Sequence, residues 1–339
     1  MRTWTTESGT ELEREFSKLD SGVVVWKNAE GAEKRIAFGK LSPKDQQYAA
    51  KQQAKLECTK ENMEGEIKLQ ANPKAGDRFE RKIEGVKFAF RYCPAGSFTM
   101  GSPEDEENRE EVETPHKVVL TQGFWMQETE TTQEQWQAVT GDNQSNFKGN
   151  KFPAESVSWD DCQKFVQQLN VLLKEGKFFL PAELSGDKNL PLFEFALPTE
   201  AQWEYVCRAG STTAYCFGDD AANLIDYAWY AGLLESHEVG TKKANAWGLY
   251  DMHGNVWEWC ADWYGDYNGR DAAGTKSTTG AAPPLTPVVD PKGALSGSHR
   301  VFRGGSCGNA EDCRSANRNS STPEMHNFYL GLRLSLVPT

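Results

Sequence analysis

Between residues 132 and 210 three short helices announce themselves by their caps, and beyond them long periodic segments are few. Thr132 with Gln135 makes a capping box ahead of "QEQWQAV", closed by Gly141. Ser158 with Asp161 opens a second helix. In it Cys162, Phe165, Val166, Leu169 and Leu172 fall at i, i+3, i+4, i+7 and i+10, which is one buried stripe. Thr199 with Gln202 opens the third, "EAQWEYVCRA", with Gly210 as its expected stop. The remainder from Val86 onward is rich in Gly, Asn, Asp and aromatic residues and has no internal repeat. This predicts an α+β domain with much ordered loop, and such loops need ties from side chains, metals or disulfides.

The formal net charge of −12 argues against a nucleic-acid partner, which would call for clustered positive charge. No apolar run approaches the ~18 residues of a membrane span. Eight cysteines fit several disulfides in an oxidising compartment and equally fit reduced structural thiols. Met1 leads straight into strand-like sequence, as if an export signal had been trimmed, so the expectation is an exported protein, periplasmic or extracellular. No Gly-rich phosphate loop, Ser-His-Asp ordering or HExxH occurs, which leaves phosphotransfer, serine hydrolysis and zinc proteolysis without support.

Residues 1–56 read differently from the rest, as short strands broken by Ser-Gly and Glu-Gly turns. Val23, Val24, Val25 and Trp26 form one β-prone run, and Ile36 and Phe38 alternate in another. "LSPKDQQYA" follows as a capped single helical turn, with Ser42 at the N-cap and Pro43 at N1. The pattern resembles the Sla-homology domain, a small SH3-like β-barrel fused to other modules in many bacterial exported proteins. Residues 57–85 are charged and short of large apolar side chains, as expected of a linker, and 86–339 form one domain.

Seven phrases occur in order: "PAGSFTMGS", "ETTQEQWQAVTG", "PAESVSWDDC", "LPTEAQWEYVCRAG", "NAWGLYDMHGNVWEWCADWY", "RVFRGGS" and "LGLRL". Together they resemble the formylglycine-generating enzyme family, or sulfatase-modifying factor domains. The resemblance implies an irregular C-type-lectin-like fold with bound calcium. Catalytic members use oxygen and copper(I) to oxidise a sulfatase cysteine to formylglycine; other members only bind ligands, some of them variable proteins diversified by retroelements.

In catalytic members two thiolates after the Gly-Gly-Ser segment hold the copper, a soft metal suited to sulfur. Counting forward from Ser306 puts those positions on Asn309 and Arg314; counting back from Arg318 puts the second on Ala310. None is Cys. If the chain is an oxidase, its site would have to be built from Cys307, Cys313, Ser306 and Arg318, and its partner would be a sulfatase. Relatives suggest Cys260–Cys313 as a disulfide, with Cys207 as a competitor for Cys313. Cys216 and Cys307 depart from the family together, which suggests Cys216–Cys307, and Cys58–Cys93 is a third candidate. Cys162, on the apolar stripe, is expected to be a buried thiol.

"WGLYDMHGNVWEW" carries the strongest ligand-site signal. Calcium takes six to eight oxygens, mixing carboxylates with carbonyls. By resemblance one calcium falls on the side chains of Asp251 and Glu258 and the carbonyls of Gly254 and Val256. A second would use Asn223, Leu224, Asp226 and Ala228. His253, beside the first site, is expected to be structural, since calcium rarely takes nitrogen. The acidic run 103–113 reads as a solvated loop.

Two classes of function follow. In the first, a non-catalytic ligand-binding or scaffolding protein presents Asn309, Glu311, Asp312, Asn317, Asn319 and His326 to Tyr329, near Trp229, Trp257 and Trp263, to a carbohydrate or peptide. A retroelement-diversified variable protein is a special case of it. In the second, the chain is a divergent copper-dependent oxidase.

Overall fold

The computed structural model describes residues 2–5, 11–20, 23–27, 33–50, 73–175, 193–230, 235–267 and 286–339. It falls into two units, 1–66 with 174–179 and 67–173 with 180–339. In the first unit, β1 (Arg2–Thr5), β2 (Glu11–Asp20), β3 (Val23–Lys27) and β4 (Glu33–Ala37) pair in chain order. Val24 is fully buried and packs on Leu41 and Ala49. Helix α1 runs over 43–50, longer than the single turn expected. Ser42 does cap it, its hydroxyl accepting from the Asp45 N–H at 3.3 Å. The pairings among described residues are those of an open antiparallel meander, and an SH3-like closure is not among them.

Among its described residues the second unit holds three sheets. The largest has the order β10-β16-β9-β6-β5, from β10 (Phe193–Ala196), β16 (Ser335–Pro338), β9 (Phe124–Gln127), β6 (Val86–Cys93) and β5 (Arg78–Ile83). Strand β5 corrects the linker expected over 57–85. Alternation on β5 buries Phe79 and Ile83, and Phe79 stacks on Phe90 of β6 with ring centres 5.2 Å apart. A three-stranded sheet orders β12 (Val288–Val289), β8 (His116–Leu120) and β7 (Gly96–Met100). The third sheet, β14-β13-β11-β15, carries the candidate site. Its members are β14 (Arg318–Ser321), β13 (Arg300–Arg303), β11 (Trp257–Trp263) and β15 (Leu330–Gly331).

The three helices form where their caps place them. Both capping boxes are complete: Thr132 with Gln135 at α2 (Gln133–Thr140), and Thr199 with Gln202 at α4 (Glu200–Arg208). Gly141 ends α2 in the left-handed conformation, but α4 ends one residue early, on Ala209 at φ 45°. Between them α3 (Trp159–Lys174) buries Cys162, Phe165, Val166 and Leu169, as the stripe predicted. Asn170 of α3 hydrogen-bonds both backbone groups of Phe195, donating to its carbonyl and accepting from its N–H, each at 2.8 Å.

Most of the acidic run is exposed, as expected of a solvated loop, but Glu106 and Glu113 are drawn in. Arg314 reaches into it, donating to Glu106 at 2.6 Å, to Glu113 at 2.7 Å and to the Asn108 carbonyl at 2.7 Å. Glu113 is fully buried. Sequence polarity alone does not reveal a guanidinium arriving from two hundred residues away.

Candidate functional site

The two late cysteines are interior struts. Gly305 precedes them at φ 72°, and a Cβ there would lie 2.9 Å from the Cys313 sulfur and the Asp312 carbonyl, so only glycine fits. Cys307 donates its N–H to the Asn255 carbonyl at 3.0 Å, and the Cys313 thiol faces the Asn309 carbonyl at 3.3 Å. Both side chains are fully buried. Burial pushes the Cys307 thiol up to about 11 and the Cys313 thiol higher still. Ser306 is buried, its hydroxyl accepting from the Gly308 N–H at 3.2 Å. Arg318 grips Glu200 through Nε and Nη2 at 2.8 and 2.7 Å and stacks on Tyr264 and Tyr267.

All seven described cysteines are free thiols, and Cys58 lies outside the described residues. Cys260–Cys313 and Cys216–Cys307 are therefore not joined in this structure. For the first pair the reason is packing: Cys260 sits in the core with Trp203 and Val206, whereas Cys313 packs on Ala214, Tyr215 and Leu224. His253 binds the Cys313 carbonyl through Nδ1 at 2.8 Å while Nε2 accepts the Cys216 N–H at 3.1 Å. That pair of bonds gives the imidazole a structural role, tying the Cys313 carbonyl to the Cys216 N–H.

The loop expected to hold calcium surrounds a buried acidic centre. Glu258 accepts from Arg333 Nε at 2.9 Å and Nη2 at 2.7 Å, and from the Trp203 indole at 2.7 Å. Asp251 takes the Gly240 N–H on Oδ2 at 2.6 Å but leaves Oδ1 without a partner. Glu130, which sequence reasoning missed, is fully buried with no N–H donor on either oxygen and with its carboxyl against that of Asp251. Burial and the neighbouring Asp251 push the Glu130 carboxyl well up, and burial pushes that of Asp251 up to about 6. A Cβ on Gly254 would meet the Trp229 carbonyl at 2.6 Å, so that glycine is required by contact. Among the described residues no group of three or more His, Cys, Asp or Glu side chains is arranged to hold a metal ion. Of the two side chains expected at the calcium, Asp251 has an oxygen with no hydrogen-bond donor, and Glu258 is paired with Arg333.

The second expected set is also engaged. Asp226 pairs with Lys243 at 2.8 Å, and the Leu224 carbonyl accepts the Ala228 N–H at 2.9 Å to close a helical turn begun at Asn223.

An open pocket of about 250 Å³ lies on the β14-β13-β11-β15 sheet. Trp257 and Phe302 line it, their rings edge to face at 5.2 Å, beside Asn319, Ser320 and Ser321 of β14. Met325, Asn327 and Tyr329 supply the other wall. Phe147, Phe328 and Tyr329 continue as an aromatic ridge, with Phe328 39% and Met325 43% exposed. Of the expected ligand-binding residues, Trp257 and Asn319 line this pocket. Asn309 and Glu311 are exposed elsewhere along the segment and Asp312 is half-buried. Asn317 is a correction: it is buried, closing a turn onto the Arg314 carbonyl. Trp229 stacks on His237 with Lys242 over its ring, and Trp263 sandwiches Arg300 against Trp159. A larger apolar groove of about 420 Å³, bordered by Leu120, Phe124, Leu197 and Val337, contains none of the expected residues.

The sulfatase-modifying factor enzyme 1-like domain model matches residues 89–336. The chain is 30% identical over 182 residues to "Chaperone protein LppX" of Paenibacillus barcinonensis, covering 44% of this chain and 65% of that protein. To the formylglycine-generating enzyme of Streptomyces coelicolor it is 35% identical over 155 residues, 40% of this chain and 45% of that one. The chain thus spans less than two thirds of either curated relative. Among solved structures, Treponema denticola variable protein 1 superposes with a TM-score of 0.63 at 32% identity, covering 77% of this chain and 99% of that one. PvdO from Pseudomonas aeruginosa superposes with a TM-score of 0.59 at 25% identity, covering 78% and 99%.

Proposed function

This chain belongs to the sulfatase-modifying factor enzyme 1-like family, and within it we propose a non-catalytic, ligand-binding member that works through the face around Trp257, Phe302 and Asn319. The observation carrying this reading is that each residue available to a copper oxidase here is buried, with the side chains of Ser306, Cys313 and Arg318 also hydrogen-bonded. Cys307 and Cys313 are enclosed, and Arg318 is clamped by Glu200. The exposed aromatic ridge supplies what a binding surface needs instead: flat apolar area beside a few placed polar groups. The likeness to a variable protein suits a C-terminal segment that presents side chains rather than performs chemistry.

Incubation of the full chain with copper(I) and a Cys-x-Pro-x-Arg peptide is expected to yield no aldehyde by mass spectrometry. Conversion that disappears with Cys307→Ala would overturn the proposal and restore a sulfatase as partner.

Calcium enters as a structural ion only. The unpartnered oxygens belong to Glu130 and Asp251, so these two carboxylates are the side-chain donors we assign to it, in place of Glu258. Millimolar calcium added to chelator-treated protein is expected to raise the melting temperature, and Glu130→Gln to remove that response. A wild-type melt indifferent to calcium would instead assign those oxygens to a shared proton. Export stays part of the proposal. Free thiols weaken the cysteine argument for it, and among the described residues no helix is long and apolar enough to cross a membrane.

A further inference from the structure

Resting on that binding reading, we infer that the pocket takes a neutral, oxygen-rich ligand, an uncharged oligosaccharide, recognised by amide donors that the fold holds in one orientation.

The first observation is charge. In a chain of formal charge −12, the pocket is lined by aromatic, apolar, hydroxyl and amide groups, with no carboxylate and no basic side chain. A charged ligand would lose hydration there without gaining a counter-ion. His326, next along the loop, is already bonded to Asp161 at 3.0 Å.

The second is polarity of another kind, the direction of hydrogen bonding. Asn319 accepts the Ser320 N–H on Oδ1 at 2.8 Å, and Asn327 accepts the Tyr329 N–H on Oδ1 at 2.9 Å. A backbone N–H can only donate, so each bond fixes which end of the amide faces the backbone. What remains of each amide for a ligand is Nδ2, with no partner among the described residues. The complement of two oriented amino groups is a ligand rich in acceptors, such as hydroxyl, ring and glycosidic oxygens. The aromatic ridge then offers a surface for the C–H face of a sugar ring.

A peptide fits less well. Among the described residues β14 is an edge strand, the usual template for adding an extended peptide. Its Ser320 N–H, which such a peptide would need, is already bonded to Asn319. The pocket volume, below the ~300 Å³ of small-molecule sites, suits a single ring of a longer chain lying along Phe328.

The full chain should be screened on immobilised neutral oligosaccharides, acidic (sulfated or uronic) oligosaccharides and short peptides. The best neutral binder is then titrated by calorimetry against Asn319→Asp and Asn327→Asp. Each substitution keeps the acceptor for the backbone N–H and removes the Nδ2 donors. Binding confined to the neutral set and weakened about tenfold or more by each variant, with unchanged melting curves, is the expected result. Acidic glycans or peptides captured instead, and lost on Phe328→Ala, would overturn the neutral-sugar inference while sustaining the binding reading. Neutral binding insensitive to both Asp variants would overturn the donor argument. No binding to any set overturns the inference, and the copper assay then decides separately whether the chain is an oxidase.

Discussion

Arg333→Met is expected to cost the second unit about 3–5 kcal/mol of stability, a fall in melting temperature of roughly 6–20 °C. Arg333 is fully buried and donates to Glu258 through two nitrogens. It also satisfies the Gln127 carbonyl at 3.0 Å and that of Tyr250 at 2.8 Å. Its positive charge is the one that Glu130, Asp251 and Glu258 all feel. Methionine preserves much of the volume but leaves three interior carboxylates with little besides the Trp203 and Gly240 N–H groups. Urea unfolding followed by tryptophan fluorescence measures the loss. Adding Glu258→Gln to the Met variant should restore part of it, because one uncompensated charge disappears. A loss under 1 kcal/mol, or a double variant as unstable as the single one, would show that the guanidinium is not the keystone described.

The second large effect is a stability that changes with pH through Asp262. This β11 residue is buried, and its Oδ2 accepts the Glu200 N–H at 2.9 Å. Burial, then the Glu200 carboxylate, pushes its carboxyl up to about 7. An unfolded aspartate titrates near 3.8. The folded protein therefore keeps this proton where the unfolded chain has shed it. Its contribution is complete below about pH 4 and declines as pH rises to about 7, by about 4 kcal/mol in all. Asparagine retains an oxygen for the Glu200 N–H and never ionises. Asp262→Asn is thus expected to match the wild type at pH 4 and to exceed it by up to about 4 kcal/mol at pH 8. Denaturant titrations at the two pH values test this, and a difference that does not vary with pH would refute it.

How far these features were legible in the sequence depended on how local their causes were. Thr132 and Thr199 cap helices through bonds to residues three positions on, so residue type and spacing sufficed. The α3 stripe was equally local. Arg314 with Glu113, Arg333 with Glu258 and Arg318 with Glu200 were illegible, because each joins residues far apart in the chain. Those pairs decide which polar side chains turn inward. They explain why Arg318, expected at the site if the chain is an oxidase, is interior, and why part of the acidic run is buried. At the candidate site, Trp257 and Asn319 were found from composition and position. Phe302 and Ser321 were not, since only the pairing of β13 with β14 brings them to the same wall. The cysteines misled for a related reason: spacing says nothing about which core cluster each thiol enters.

The contact between Asn170 and Phe195 bears on what happens when many copies of this protein are crowded together. β10 closes one side of its sheet, and a bare margin there would invite another molecule to dock its own backbone and begin a polymer. One carboxamide on a helix imitates the missing neighbour, meeting the oxygen and the hydrogen of the same residue. Among the described residues the sheet ends there, with a side chain in the seat that an invading strand would need.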